Sequence, residues 1–221
     1  MPSQRTARTT GALYLGLAIS GMIGFLLLRP RLDDGAAVAG HPTLTHLVVL
    51  FELLIVLSQA LTAAWIYRLF RTADPVSAAG VAAFGLANAV VILISAAMLG
   101  AAATTGPATT KTLFLISSNL WWAGAIFFGL WLVPMGTAVL NTGWMPRALG
   151  WVLIAGGAGY VLSALVKAVA PDAAAAADLL TVPASIGEFW IIGYLLIIGT
   201  RQGQSEEQRQ SGGSPKANLI R

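Results

Sequence analysis

Glu52 and Glu188 are the only acidic residues inside six long apolar windows of this 221-residue chain. An ionised side chain in lipid costs at least about 2.5 to 3.5 kcal/mol unless it faces a partner or a wet cavity, so each carboxylate needs a reason to be there. Together they suit cation binding, proton exchange or capture of the polar head of a lipid-like molecule. A glutamate acting as general acid or base on a lipid is the alternative, which would make the chain an intramembrane enzyme. The plainest account needs no reaction: the carboxyls, with Asn88, Asn119 and the serines, tie helix to helix by hydrogen bonds. On that account the chain is a structural or signalling subunit without a site of its own.

Counted from the nearer end of its window, Glu52 falls about 8 Å and Glu188 about 10 to 14 Å into the hydrocarbon. Ser95, Asn119 and Tyr160 fall at comparable depth in three other windows. Lys167 lies nearer the same rim, where it is the natural partner of the carboxylates. The expectation is one polar layer built from five windows. Thr45, Glu52 and Gln59 recur every seven residues, two helical turns, and form a single stripe that should face the bundle interior. The expected ligand- or proton-binding set is therefore Glu52, Glu188, Asn119, Lys167, Tyr160, Gln59 and Ser95.

Other chemistry is weaker. With no cysteine, disulfides, iron–sulfur ligation, thiolate catalysis and covalent haem attachment are excluded, and two histidines cannot hold a pair of bis-histidine haems. His41 and His46, near Asp33 and Asp34, are a faint metal candidate whose spacing fits no strong ligand motif; interfacial histidines are the simpler reading. No nucleophile elbow, phosphate-binding loop or dinucleotide fingerprint occurs. No cofactor is expected.

These residues must be positioned by membrane helices. Hydrophobic residues make up 57% of the chain and charged ones 10%, far below the roughly 25% of a soluble domain. The windows are 11–28, 47–67, 76–103, 113–140, 149–169 and 179–199, each long enough to cross about 30 Å of hydrocarbon as a helix. None alternates with period two, which argues against a barrel. The fold class is all-α: a polytopic membrane protein, a six-transmembrane-helix bundle forming one domain over 1–200, with 201–221 a disordered cytoplasmic tail. The first window is too long for a signal-peptide core and lacks a small-residue cleavage site after it.

Lysine and arginine number nine on the side of the termini and four on the other, so both termini are expected in the cytoplasm. The net charge of +4 then points to anionic lipid headgroups as partner and not to nucleic acid. Small residues recur at four-residue intervals in Gly16, Ser20, Gly24, in Ala79, Ala83, Ala87 and in Ala155, Gly159, Ser163. They predict close helix packing, and the first stripe is also a candidate homodimer face. Pro134 should kink its helix. The tryptophans read as packing and interface anchors, with Trp144 and Trp151 placed at the cytoplasmic boundary.

Several segments together carry a resemblance. Phe127-Phe128-Gly129, Gly143-Trp144-Met145-Pro146-Arg147-Ala148-Leu149-Gly150, Gly156-Gly157-Ala158-Gly159-Tyr160 and Pro183-Ala184-Ser185-Ile186-Gly187-Glu188 resemble the bacterial membrane proteins grouped as domain of unknown function 4386, over nearly the whole chain. In that family the acidic position of the second window is usually aspartate where this chain has Glu52, so a carboxyl is kept. A histidine often follows the Phe-Phe-Gly run where this chain has Trp131, so no proton or metal role carries over to that position. The resemblance implies the six-span fold and leaves activity open. Of the matched positions, only Glu188 is chemically loaded.

Overall fold

In a computed structural model, residues 3–32 and 34–200 are described, and among them the fold is all-α with no strand. Six spans are long and apolar enough to cross a membrane: Gln4–Arg31, Pro42–Phe70, Pro75–Ala102, Pro107–Thr142, Arg147–Val169 and Ala174–Ile197. They correspond one to one with the apolar windows. The tail and Asp33 lie outside the described residues. Prolines set several helix starts: Pro42, Pro75, Pro107 and Pro183 stand in the first turn, where a missing amide loses no bond.

The first span begins as α1 (Gln4–Gly21), widens into a π-helical stretch over Met22–Leu28, and ends in a 3₁₀ turn, Arg29–Arg31. Pro30 explains the loosening, because it has no amide to give back and its ring crowds the carbonyl four residues earlier. The Arg29 amide accordingly reaches five residues back, to the Gly24 carbonyl. A short helix, α2 (Gly35–Gly40), leads into α3 (Pro42–Phe70), followed by α4 (Pro75–Ala102), α5 (Pro107–Thr142) and α6 (Arg147–Val169). The last span divides into α7 (Ala174–Leu179) and α8 (Val182–Ile197).

Neighbours in sequence from α3 to α6 are neighbours in space, and α8 closes the arrangement by packing on both α6 and α1, while α1 packs on α3. The six long helices therefore form a closed ring. The α5–α6 contact rests on glycine: Gly129 faces Gly157, and seven residues along, Gly136 faces Gly150. A Cβ on Gly129 would stand 2.6 Å from the Gly157 carbonyl oxygen, and one on Gly136 2.5 Å from that of Gly150, so only a bare backbone fits. Gly156 and Gly159 of α6 lie equally close to the backbone of Ala184 and Leu180.

Not every small-residue stripe packs as expected. Ala79 and Ala83 are exposed on the outside of α4, which turns Ala78, Val81 and Gly85 inward instead. Gly24 lies against Phe51 and Ile55 of the same chain, whereas nothing stands within 4 Å of a Cβ at Gly16, so the stripe of the first span is used internally at its Gly24 end. Outward, Leu26, Leu57, Val90, Ile116, Leu165 and Phe189 are exposed, an apolar mantle that lipid would cover.

At the face shared by the termini, Trp144 is buried and stacked on Phe70 with ring centres 5.6 Å apart, while Trp151 is exposed. Trp144 is thus core and not an interface anchor. On this face Asp74 caps α4, one oxygen accepting the Ser77 amide at 3.0 Å and the other the Asn141 amide group at 2.7 Å. Burial alone would push this carboxyl up, but the bonds from Asn141 and Ser77 outweigh it and hold it below the usual carboxylate range. At the opposite face, α2 folds over the bundle and shields a small cluster of Leu32, Val38, Val48, Leu99, Ala102 and Phe114.

Candidate functional site

The ring encloses a cavity of about 730 Å³ towards the face opposite the termini, bounded by α1 and its π-helical extension, α3, α4, α5, α6 and α8. Apolar surface makes up most of its wall, and each bounding helix adds polar side chains to it.

The first polar cluster is built on Arg29. Side chains on a helix lean towards its N-terminus, which for α1 points into the bundle; Glu52, on the oppositely running α3, leans the other way. The two meet, and the guanidinium donates to Glu52 Oε1 in a buried ion pair, with Arg29 8% and Glu52 1% exposed. The other terminal nitrogen of Arg29 donates to Ser117 Oγ at 2.9 Å and Ser118 Oγ at 3.3 Å. The Trp121 indole N–H donates to the same Glu52 oxygen at 2.8 Å. The Arg29 Cζ stands 5.7 Å from the centre of the Trp121 ring, which is stacked on Phe25 at 4.4 Å. Ser95 shares a 2.8 Å bond with Ser117 and so steadies one arginine acceptor. A buried ion pair needs such bonds to be tolerable; those to Glu52 all fall on Oε1, and its buried Oε2 has no hydrogen-bond partner among the described residues. Here Glu52 is paired with Arg29, which itself lines the cavity.

The second cluster is built on Glu188. Its Oε1 accepts the Tyr14 hydroxyl at 2.5 Å, a contact between α8 and α1 that helps close the ring. Tyr14 is held in turn by an edge-on contact with Trp131, ring centres 5.5 Å apart. Glu188 lines the cavity and has no cationic partner among the described residues. Gln59 and Asn88 face the same space, and the buried Gln59 amide has neither its nitrogen nor its oxygen hydrogen-bonded. Tyr160 stands on the wall, edge-on to Phe128 at 5.1 Å.

The seven expected residues are thus placed differently. Glu188, Gln59, Tyr160 and Lys167 line the cavity; Glu52 and Ser95 lie behind Arg29 and Ser117; Asn119 is exposed. The stripe of Thr45, Glu52 and Gln59 is buried along its whole length. Asn119 turns away because it stands two residues, about 200° around the helix, from the inward Ser117. Lys167 does not pair with either glutamate: it bonds Asp178 at 2.5 Å across the α6–α7 turn. His41 and His46 are exposed, and no three metal-binding side chains gather among the described residues.

Arg29, Tyr14 and Trp121 were not expected in the site. The signal for Arg29 was a cation at the C-terminal end of an apolar window, leaning back into it, opposite a buried carboxylate. Tyr14 carries the one phenol of the first window, but its pairing with a residue 174 positions away cannot be read locally.

No curated protein and no solved structure matches the chain. A family pattern covers residues 9–199, which include every residue of both clusters. On that match, and with the six-span bundle its resemblance implied, the chain belongs to the family described as Domain of unknown function (DUF4386).

Proposed function

We propose that this membrane bundle binds a small amphipathic, lipid-like molecule in the cavity, as a receptor or carrier for it. The observation that carries this is a cavity of about 730 Å³ whose apolar wall is interrupted by Arg29, Gln59, Asn88 and Glu188. Ligand pockets have this make-up, a mostly apolar lining of some 300 to 1,000 Å³ with a few fixed polar groups. The unbonded Gln59 amide supports the same reading, because a buried amide without partners is costly and a ligand group beside it offsets that cost. Met22, Phe25 and Leu26 on one flank and Phe189 on the other line the cavity and are also exposed on the outside, so entry is sideways, from lipid.

The membrane assigned is a bacterial inner membrane, with the termini in the cytoplasm and the cavity towards the outer side, supported by the nine-to-four distribution of basic residues. Because the chain lacks cysteine, a single cysteine at Thr105 should be labelled by an impermeant maleimide in intact cells, and one at Ala73 should not; the reverse pattern inverts the topology.

To test the binding itself, wild-type protein and an Ala18→Trp/Ala125→Trp variant, whose cavity is filled, are extracted with organic solvent and compared by mass spectrometry. A species should accompany the wild type in near-stoichiometric amount and be absent from a filled variant of equal thermal stability. Identical extracts would refute the proposal.

A further inference from the structure

The charges around the cavity select among amphipathic ligands. Two basic and two acidic side chains line it: Arg29, Lys167, Asp178 and Glu188. Arg29 is neutralised by Glu52 and Lys167 by Asp178. Glu188 is bonded to a neutral phenol and to no cation among the described residues, so it is the one carboxyl on the wall for which a bound cation would be the counter-charge. The same cavity is lined by the aromatic side chains of Trp121, Trp122, Phe128, Tyr160 and Phe189. A carboxylate among aromatic rings is the chemistry that recognises organic cations, the rings through their negative faces and the carboxylate through its full charge. An anionic head finds the opposite: both basic side chains are already paired, and the remaining ionisable group is the carboxyl of Glu188.

Resting on the binding proposed above, we infer that the ligand is a lipophilic organic cation, an amine- or ammonium-headed molecule whose charge sits at Glu188 and whose apolar body lies against Phe25, Leu26 and Phe189. A head that carries a phosphate beside its ammonium is disfavoured, because no free basic group remains on the wall to meet the phosphate. The ligand class is therefore the simple cation and not a zwitterionic lipid head. Gln59 and Asn88, deeper on the wall, are left to hydrogen-bond polar atoms elsewhere on the molecule.

The test uses two probes of the same shape and opposite charge, tetraphenylphosphonium and tetraphenylborate, titrated calorimetrically into purified full-length protein in dodecyl maltoside. The Ala18→Trp/Ala125→Trp variant supplies the background of detergent partitioning. The cation should bind above that background and the anion should not. Glu188→Gln should weaken the cation by about tenfold or more, the scale of one charge pair poorly screened by water. Glu188→Asp, which keeps the charge, should restore most of the affinity, and the pair distinguishes charge from folding. Dodecyltrimethylammonium should displace the phosphonium, and dodecylphosphocholine should do so more weakly. Equal or tighter binding of the anion, an unaffected Glu188→Gln variant, or displacement by the zwitterion as strong as by the simple cation overturns the inference while leaving a binding cavity in place. Neither probe binding, together with identical solvent extracts, overturns the binding proposal itself.

Discussion

At the scale of single residues, the account rests on charges that cannot stand alone in lipid. Removing one partner of a buried ion pair strands the other, at about 3 to 5 kcal/mol, whereas replacing both with apolar groups of similar volume is often neutral or stabilising. Arg29→Met should therefore destabilise the protein by that amount through the stranded Glu52, and Arg29→Met/Glu52→Leu should recover most of it. Unfolding in detergent, arranged as a double-mutant cycle, reads the coupling directly; additive losses would show that the pair is not the unit described. Asp74, outside the spans, behaves differently. Its lowered folded-state value means that its contribution is fully present above the unfolded carboxylate range and is lost as pH falls through the folded value. Asp74→Ala should cost about 1 kcal/mol near neutrality by loss of the cap, and the gap to wild type should close in acid. A gap constant with pH would remove the carboxylate from the account. Both glutamates of the site could be singled out in the sequence, because a charge in an apolar window is conspicuous by itself. Arg29 could not, because a cation at a window's edge is normally an anchor in water, and only the lean of its side chain and the π-helical turn before it bring it inward.

At the scale of helices, period and composition were enough to place all six spans, since a helix in lipid must satisfy its own backbone and so declares itself by length. Which face of each helix turns inward was less legible. In lipid both sides of a helix are apolar, and the usual contrast between core and surface is missing. Thr45, Glu52 and Gln59 gave the inward face of α3, because polar groups supplied the contrast. On α4 the alanine stripe misled, since Ala79 and Ala83 face outward, and the packing face is marked by Gly85 and Asn88 instead. The contact that sequence spacing does encode is between α5 and α6. Gly157→Leu should overpack that crossing and cost roughly 1 to 3 kcal/mol or more, whereas Ala83→Leu on the exposed side of α4 should change stability by less than about 0.5 kcal/mol. Thermal unfolding of both variants in one detergent checks the contrast, and equal losses would contradict the closeness assigned to Gly129 and Gly157.

At the scale of the molecule, a ring of six helices closed by α1 and α8 leaves a space that the side chains do not fill. The helix pair that closes the ring is also the one that carries Tyr14 and Glu188, so closure and the cavity's charge depend on the same contact. This is why the site was only partly visible in the chain: which residues are polar is written locally, but that the first and last spans meet is a property of the whole bundle. The central claim is that the cavity holds a ligand, and the most direct measurement is an electron cryomicroscopy map of the protein in native lipid nanodiscs. The account predicts elongated density of non-protein origin running from Glu188 towards Phe25 and Phe189. A cavity collapsed by its own side chains, or one containing only discrete water, would contradict it.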